Sequence, residues 1–204
     1  ADQTCTVDCG VTRAQLDQAL QPHGLELPCP GAGTLGGLFA ADPHGARQPG
    51  GQSPRTLLLG IEGFLADGTP FRSGARVVKS VAGFDVHRLL VGSEGRLFVA
   101  AQLHLRLKPA PRARVGFRLD RLDRDRALAH ATRLRQLTHG LDALHLVRAH
   151  DQRWTVLGAL AGRMNFVRTT LNSLALPEAE VPALPQLDAG GPAVEVLAGH
   201  VLPS

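Results

Sequence analysis

One change of pattern along the chain, at Pro109 and Pro111, most limits what this sequence can fold into. Before it, glycine-rich segments separate short apolar runs, whereas after it the apolar runs have the lengths of regular strands and helices. Because prolines end regular elements and mark linkers, we predict two regions, residues 1–109 and residues 110–204. A chain of 204 residues that is 44% apolar can bury one good core or two small ones, and with this boundary we expect two α+β regions.

The first region has the pattern of short strands and helices joined by turns. Residues 4–9 alternate enough for a strand, and a capping box of Thr12 and Gln15 begins a helix that Gly24 ends. The Asp67–Gly68 pair lies between two apolar runs, which predicts a β-hairpin. We therefore expect a mostly antiparallel sheet flanked by short helices.

The second region predicts the order strand, helix, strand, strand, helix. Its helices are expected at 123–140 and 163–176, and the order is most of a ferredoxin-like βαββα unit. Residues 177–204 contain five prolines. An edge strand such as "AVEVLAG" is therefore the most regular structure that we expect there.

A glycine-rich segment, "GAGTLG" at residues 31–36, satisfies the GxGxxG pattern of dinucleotide-binding folds. Its context argues against that fold, because the preceding "LELPCP" has two prolines and the following helix can run only to about Pro43. A short helix opening at Thr34 would still present free N–H groups of residues 34–37 to an anion. Two interpretations stay open here, an anion site and a turn that only requires positive φ angles.

The charge, the cysteine content and the apolar runs bear on which partners, metal sites and locations we expect. The net charge is +4, but the six arginines of residues 111–126 alternate with three aspartates, which favours a solvated, salt-bridged face over nucleic-acid binding. Cys5, Cys9 and Cys29 lack the CxxC spacing of zinc and redox sites, so we expect free thiols and no metal. No apolar run is long enough to span a bilayer and no secretory leader is evident, which predicts a cytoplasmic protein.

Four segments, taken in order, carry a resemblance to a known family. They are "GTLGGLFAADPHG", "SPRTLLLGIEGFLADGTPFRSG", "VVKSVAGFDVHRLLVGSEG" and "RLFVAAQLHLRLKP". In order and spacing, residues 6–109 resemble the FAD-binding (PCMH-type) domain of the vanillyl-alcohol-oxidase superfamily, above all the E subunits of bacterial glycolate oxidase. The resemblance implies the second FAD subdomain of that fold for the first region and, at fold level only, a cap or substrate region for the second.

The same resemblance implies FAD as the cofactor and assigns residues to it. The stretch from Thr34 to Gly37 would meet the FAD diphosphate, and the strand after Gly95 would run beside the isoalloxazine ring. His44 is the histidine that we would test for a bond to the cofactor. Neither the residues nor the resemblance identifies a catalytic base. The candidate cofactor-binding residues are Gly33, Thr34, Leu35, Gly36, Gly37, Ala41, His44, Gly45, Gly95, Val99 and Ala100.

Several departures from the family pattern affect this interpretation. The family has a first FAD subdomain upstream of the position of Thr6, and we expect half of the FAD cradle to be missing from this chain. Phe98 stands where glycine is usual and would add bulk beside a planar ring. Ala101 lacks a hydroxyl that the pattern has, and Thr56 replaces a common aspartate. Together these changes suggest a weakened or altered FAD site.

Three functions remain as hypotheses. The resemblance implies an FAD-linked oxidoreductase subunit that oxidises a small 2-hydroxy acid by hydride transfer to flavin, with flavoprotein and iron–sulfur partner subunits. The absent subdomain and Phe98 favour a truncated, non-catalytic relative that acts as a scaffold or assembly subunit. The arginines of residues 112–126 favour a basic module that binds nucleic acid or an acidic partner.

Overall fold

Two compact units, which divide between Ala110 and Pro111, make up the chain. The structure, a computed structural model, describes residues 3–43, 52–74, 85–137, 139–148 and 151–179. Each unit is a mixture of helices and antiparallel sheet with its own buried core. The mixed α/β class expected from the sequence is therefore confirmed, while the functional roles assigned to the two regions stay predictions.

The first unit alternates short helices with strands. It also has a 3-10 turn at Gln21–His23. In chain order its elements are β1 (Thr4–Asp8), α1 (Arg13–Leu20), β2 (Leu25–Glu26), α2 (Leu35–Ala41), α3 (Pro54–Leu57), β3 (Leu58–Leu65), β4 (Pro70–Gly74), α4 (Val86–Leu89), β5 (Phe98–Arg106) and β6 (Lys108–Pro109).

Four of these strands form the main sheet, in the order β1-β5-β3-β4, and all pairs are antiparallel. The hairpin predicted at Asp67–Gly68 is confirmed, because β3 and β4 pair with Phe64 opposite Pro70. Asp67 stabilises the turn by accepting the N–H of Thr69 at 2.9 Å. The predicted capping box is also present, with Thr12 and Gln15 bonded to each other's backbone N–H groups.

The main sheet has an apolar face and a polar face. Leu103 and Leu105 of β5 are fully buried in the core that also holds residues of α1 and α2. His104 lies between them on the opposite face, as the alternation of a strand requires. Its ring is only 1% exposed, and its two nitrogens lie 2.9 Å from the Thr6 hydroxyl and 3.0 Å from a Glu62 carboxylate oxygen. His104 is therefore a bonded structural histidine.

The second unit has the predicted order of strand, helix, strand, strand, helix, with a short fourth strand. Helix α5 ends before the predicted residue 140, and the segment "AVEVLAG" lies outside the described residues. The sheet order β10-β7-β9-β8 is antiparallel throughout. The elements are β7 (Ala113–Leu122), α5 (Arg124–Arg135), β8 (Leu141–Arg148), β9 (Trp154–Gly162), α6 (Met164–Ser173) and β10 (Glu178–Ala179).

Both helices of the second unit contribute to one core with the sheet. Phe117, Val156 and Leu160 from the strands are fully buried together with Val167 and Leu171 of α6. The arginine-rich segment lies at the surface of this unit. Two of its ion pairs are Arg118 with Asp120 at 2.8 Å and Arg126 with Asp123 at 3.4 Å, as the alternating charges predicted.

Candidate functional site

The glycine-rich segment leads into α2, a helix of seven residues. Thr34 is its N-cap, and the helix forms because Leu35, Leu38 and Phe39 lie on one face and enter the core. The helix ends at Asp42, which adopts a left-handed conformation with φ of 47°. A short helix at this place was predicted, and the structure confirms it.

The N–H groups in the first turn of α2 are not free. Leu35 donates to the carbonyl of Val11 at 2.8 Å, and Gly36 donates to the carbonyl of Cys9 at 2.9 Å. Gly37 donates to the Thr34 hydroxyl oxygen at 3.3 Å. The expectation that these three groups are available to an anion is therefore wrong, because the segment after β1 and the helix cap already use them.

Gly36 is needed for packing. A Cβ at this position would lie 2.9 Å from the Cβ of Cys9 and 3.2 Å from its carbonyl oxygen. The N–H of Cys9 in turn donates to the carbonyl of Ala101 on β5 at 2.9 Å. Sequence reasoning missed this role of residues 9–11. The only signal for it was the capping box at Thr12, which fixes where β1 ends.

The open part of the segment lies just before the helix, at Ala32, Gly33 and Thr34. All three are exposed, Gly33 has φ of 83°, and a Cβ built there meets no atom within 4 Å. None of the three N–H groups donates to another residue that the structure describes. The free donors of this segment therefore precede the helix, and Thr34 adds a hydroxyl to them.

The C-terminal end of α2 contacts the loop that follows α4. Gly92 donates to the carbonyl of Phe39 at 3.1 Å, and Glu94 donates to the carbonyl of Ala40 at 2.9 Å. Because Ala40 and Glu94 are bonded to each other, the candidate residues next to them, Ala41 and Gly95, belong to segments that are in contact. His44 and Gly45, like Lys79, lie outside the described residues.

Arg55 fixes the same loop from α3. It donates to the carbonyl of Val91 at 2.9 Å and lies 3.6 Å from a carboxylate oxygen of Asp42. The other oxygen of Asp42 is buried and has no hydrogen-bond partner among the described residues. Among the described residues, Arg55 is therefore the cation that pairs with the Asp42 carboxylate.

The candidates on β5 point to opposite faces of the sheet. Val99 is 65% exposed and pairs with Phe64, which is 47% exposed, so together they form an apolar surface. Ala100 packs against the core instead. Phe98 is also buried, in edge-to-face contact with Phe71 at 5.4 Å between ring centres. The expectation that Phe98 adds bulk beside a bound ring is wrong, because its side chain enters the core.

Burial shifts the pKa of three described titratable groups near these segments. Burial raises the pKa of the thiols of Cys5 and Cys9 to about 11, so both are neutral and poorly nucleophilic at neutral pH. Burial also lowers the pKa of His87, whose Nδ1 lies 3.3 Å from the Ser73 hydroxyl oxygen. Within the described ranges there is no group of three side chains that could hold a metal ion.

The same ranges contain no helix with the length and apolarity to cross a membrane.

A comparison with known families matches the N-terminal part of the chain. Residues 1–74 match the family described as the FAD binding domain. This match and the relatives below confirm the resemblance to FAD-binding domains of the PCMH type, and they support FAD as the cofactor.

Two relatives show how far the similarity extends. A D-lactate dehydrogenase of Archaeoglobus fulgidus is 41% identical over 106 residues, which are 50% of this chain and 24% of that protein. The glycolate oxidase subunit GlcE of Escherichia coli is 36% identical over 118 residues, which are 55% of this chain and 34% of that protein. The chain thus spans about a quarter to a third of the length of these relatives.

A solved structure shares the fold over a larger part of the chain. Alkyldihydroxyacetonephosphate synthase superposes on 87% of this chain with a TM-score of 0.69, and the match covers 39% of that protein. The two sequences are only 14% identical. The similarity therefore shows a common fold and carries no information on activity.

Proposed function

We propose that this chain is part of an FAD-linked oxidoreductase that oxidises a small 2-hydroxy acid. The relatives named above include a D-lactate dehydrogenase and a glycolate oxidase subunit, and both lactate and glycolate are 2-hydroxy acids. We assign the first unit to the second FAD subdomain of the family and the second unit to a cap or substrate region. FAD, when bound, supplies the hydride acceptor, and the protein supplies binding and orientation.

The observation that carries this proposal is the open segment at residues 32–34. Its N–H groups and the Thr34 hydroxyl are donors suited to a diphosphate, and the missing side chain of Gly33 lets an anion approach the backbone closely. The residues present thus fit the diphosphate. The proposed contact is the segment before α2, whereas the sequence led us to expect the first turn of α2. In this assignment Leu35, Gly36 and Gly37 shape the site through packing.

A second set of residues suits the ring system of the cofactor. Val99 and Phe64 form an exposed apolar surface on the polar face of the main sheet, and a flat aromatic ring can cover such a surface. Gly95 is exposed in the loop before β5. We place the flavin beside Val99 and Gly95, and we remove the Ala100 side chain from the set of direct contacts.

The proposed oxidoreductase also includes partner subunits. The second of the relatives is a subunit of glycolate oxidase, so we propose that partner subunits, including a flavoprotein and an iron–sulfur protein, complete the electron path. The cytoplasmic location predicted from the sequence belongs to this proposal.

One observation favours a second candidate function, a scaffold or assembly subunit that has lost FAD. The N–H groups of Leu35, Gly36 and Gly37 are all used inside the chain, which leaves few donors for a diphosphate. Under this candidate, Gly36 is retained for packing alone. Binding of FAD by the chain decides between the two.

Replacement of Gly33 by asparagine tests the proposal. Asparagine tolerates positive φ angles, so the backbone is kept while the new side chain fills the space in front of the Thr34 N–H. Gly24 is the matched control, because it has φ of 62° and equally open surroundings but caps a turn after α1. We expect Gly33→Asn to raise the Kd for FAD about tenfold or more, and Gly24→Asn to leave it unchanged, in a titration of flavin fluorescence.

Two outcomes would contradict the proposal. If the wild-type chain shows no saturable change at millimolar FAD, the scaffold function is favoured. If FAD binds and Gly33→Asn binds it as well as Gly24→Asn does, the open segment is not the diphosphate contact.

A further inference from the structure

Arg13, at the start of α1, is bonded to three separate carbonyl groups of the segment that leads into α2. Its guanidinium donates to the carbonyls of Leu27 at 2.8 Å and Cys29 at 2.7 Å. Its backbone N–H donates to the carbonyl of Gly33 at 2.8 Å. The side chain is only 11% exposed, so these bonds are largely shielded from water. One residue thus holds both ends of the segment from residue 27 to residue 33.

The sequence of the segment explains why it needs an external donor. Leu27 and Cys29 each precede a proline, and neither Pro28 nor Pro30 has an N–H to offer to a neighbouring strand. The buried carbonyls next to them must therefore find donors outside regular structure. Arginine is suited to this task because its planar fork presents several N–H groups at fixed angles.

Asp17 also fixes the orientation of the Arg13 guanidinium, through the Nε atom. The Nε of Arg13 lies 2.9 Å from both carboxylate oxygens of Asp17, one turn later on α1. This pair neutralises the arginine, so the guanidinium does not itself offer a free charge to an anion. Arg13 can therefore contribute to a ligand site by holding the segment of residues 27–33 in place, and not by binding the ligand with its charge.

The bond from the Arg13 backbone also sets the direction of the free donor. The carbonyl of Gly33 and the N–H of Thr34 belong to one peptide group, and no described peptide bond is cis. In a trans peptide the two groups point in opposite directions. Because the Gly33 carbonyl points at Arg13, the Thr34 N–H points away from α1 and toward the exposed side of the segment.

We propose that Arg13 is a positioning residue for the FAD diphosphate, which holds the segment 27–34 so that the Thr34 N–H faces the ligand. This inference rests on the proposed function. Without the guanidinium bonds the segment samples other conformations, and the apparent Kd rises in inverse proportion to the fraction that remains competent.

The test compares two substitutions of Arg13 with a control in the same unit. Arg13→Met keeps the apolar stem and removes all donors, whereas Arg13→Lys keeps the charge and one donor nitrogen. Ile61→Val is the control, because it removes one buried methyl group from the core without touching the segment. We measure the Kd for FAD by flavin fluorescence, the thermal midpoint, and the hydrogen exchange of the Leu35 N–H in the absence of FAD.

We expect Arg13→Met to raise the Kd for FAD about tenfold and Arg13→Lys to raise it by a smaller factor, with Ile61→Val close to the wild type at a similar thermal midpoint. The Leu35 N–H, which is bonded to Val11, should exchange about tenfold faster in Arg13→Met than in Ile61→Val. If Arg13→Met does not fold, Arg13→Lys carries the same comparison.

Each contrary result has its own meaning. If wild-type protein binds FAD and both Arg13 variants bind it equally well, the positioning role is overturned and the proposed function stands. If the wild type does not bind FAD, the proposed function fails and this inference fails with it.

Discussion

His145, in the middle of β8, is a polar side chain buried in the second unit. It is only 3% exposed, and neither ring nitrogen has a hydrogen-bond partner in the part of the chain that the structure describes. Burial lowers the pKa of His145 from its usual value near 6.5, because the charged imidazolium is poorly solvated there. The unfolded chain therefore binds a proton at a pH where the folded chain does not. Unfolding free energy must then decrease as the pH falls below about 6.5.

Replacement of His145 by leucine should remove the part of this pH sensitivity that comes from His145; the buried His87 of the first unit contributes another part. We expect His145→Leu to raise the unfolding free energy by about 1–2 kcal/mol at pH 7, because two unsatisfied polar atoms leave the interior. The gain should grow at pH 5.5. Denaturant unfolding followed by the fluorescence of Trp154, which is buried in the same unit, measures both effects. His139→Gln, at an exposed histidine, is the control, and a His145→Leu variant that is as pH-sensitive as the wild type would refute the account.

At the scale of residues, sequence reasoning located the important segment but could not rank its members. The pattern of glycines pointed to residues 33–37 as a group. Only the structure distinguishes Gly36, which faces Cys9 at close range, from Gly33, which faces open space. Arg13 gave no signal, because the carbonyls that it binds are distant in sequence and carbonyl direction is not encoded in residue type.

At the scale of elements, α2 is held against the chain segment that follows β1. The bonds from Leu35 and Gly36 to Val11 and Cys9, together with the bond from Cys9 to Ala101, link the start of the helix to β5. Residues 32–34, proposed to contact the diphosphate, and β5, proposed to run beside the flavin, are thus fixed to the same short stretch of backbone. In our proposal, residues 32–34 and β5 contact one FAD molecule, so both contacts depend on this stretch.

Gly36→Ala should break that arrangement. The added Cβ would meet Cys9 at 2.9 Å, which real structures avoid, so we expect a loss of about 1–2 kcal/mol despite the better helix propensity of alanine. Gly10→Ala is the matched control, since a Cβ there meets nothing within 4 Å. Thermal unfolding by circular dichroism should show a lower midpoint for the first unit only, with the Trp154 transition unchanged. Equal midpoints for the two variants would show that the contact is not tight.

The order of elements was predictable because local signals specify it. The capping box of α1, the Asp67–Gly68 hairpin and the βαββα order of the second unit all depend on residues close together in sequence. The use of the α2 amides was not predictable. It depends on a pairing between residues 9–13 and 33–36, which the spacing of glycines does not reveal.

At the scale of the whole molecule, two small units each bury their own core, as the composition allowed. The N-terminal match to FAD-binding domains and the partial coverage of the relatives make this chain one component of a larger FAD-dependent architecture in our proposal. The proposed activity then depends on whether the segment before α2 contacts the cofactor. Leu35 and Gly36 have bonded amides, and the Thr34 amide has no acceptor among the residues that the structure describes.

Hydrogen exchange of the Thr34 amide in the wild-type chain, with and without saturating FAD, tests this central claim most directly. We predict that the Thr34 N–H exchanges rapidly in the free protein and slowly with FAD bound, while the Leu35 and Gly36 amides are protected in both states. Saturating FAD that leaves the exchange of Thr34 unchanged would contradict the account.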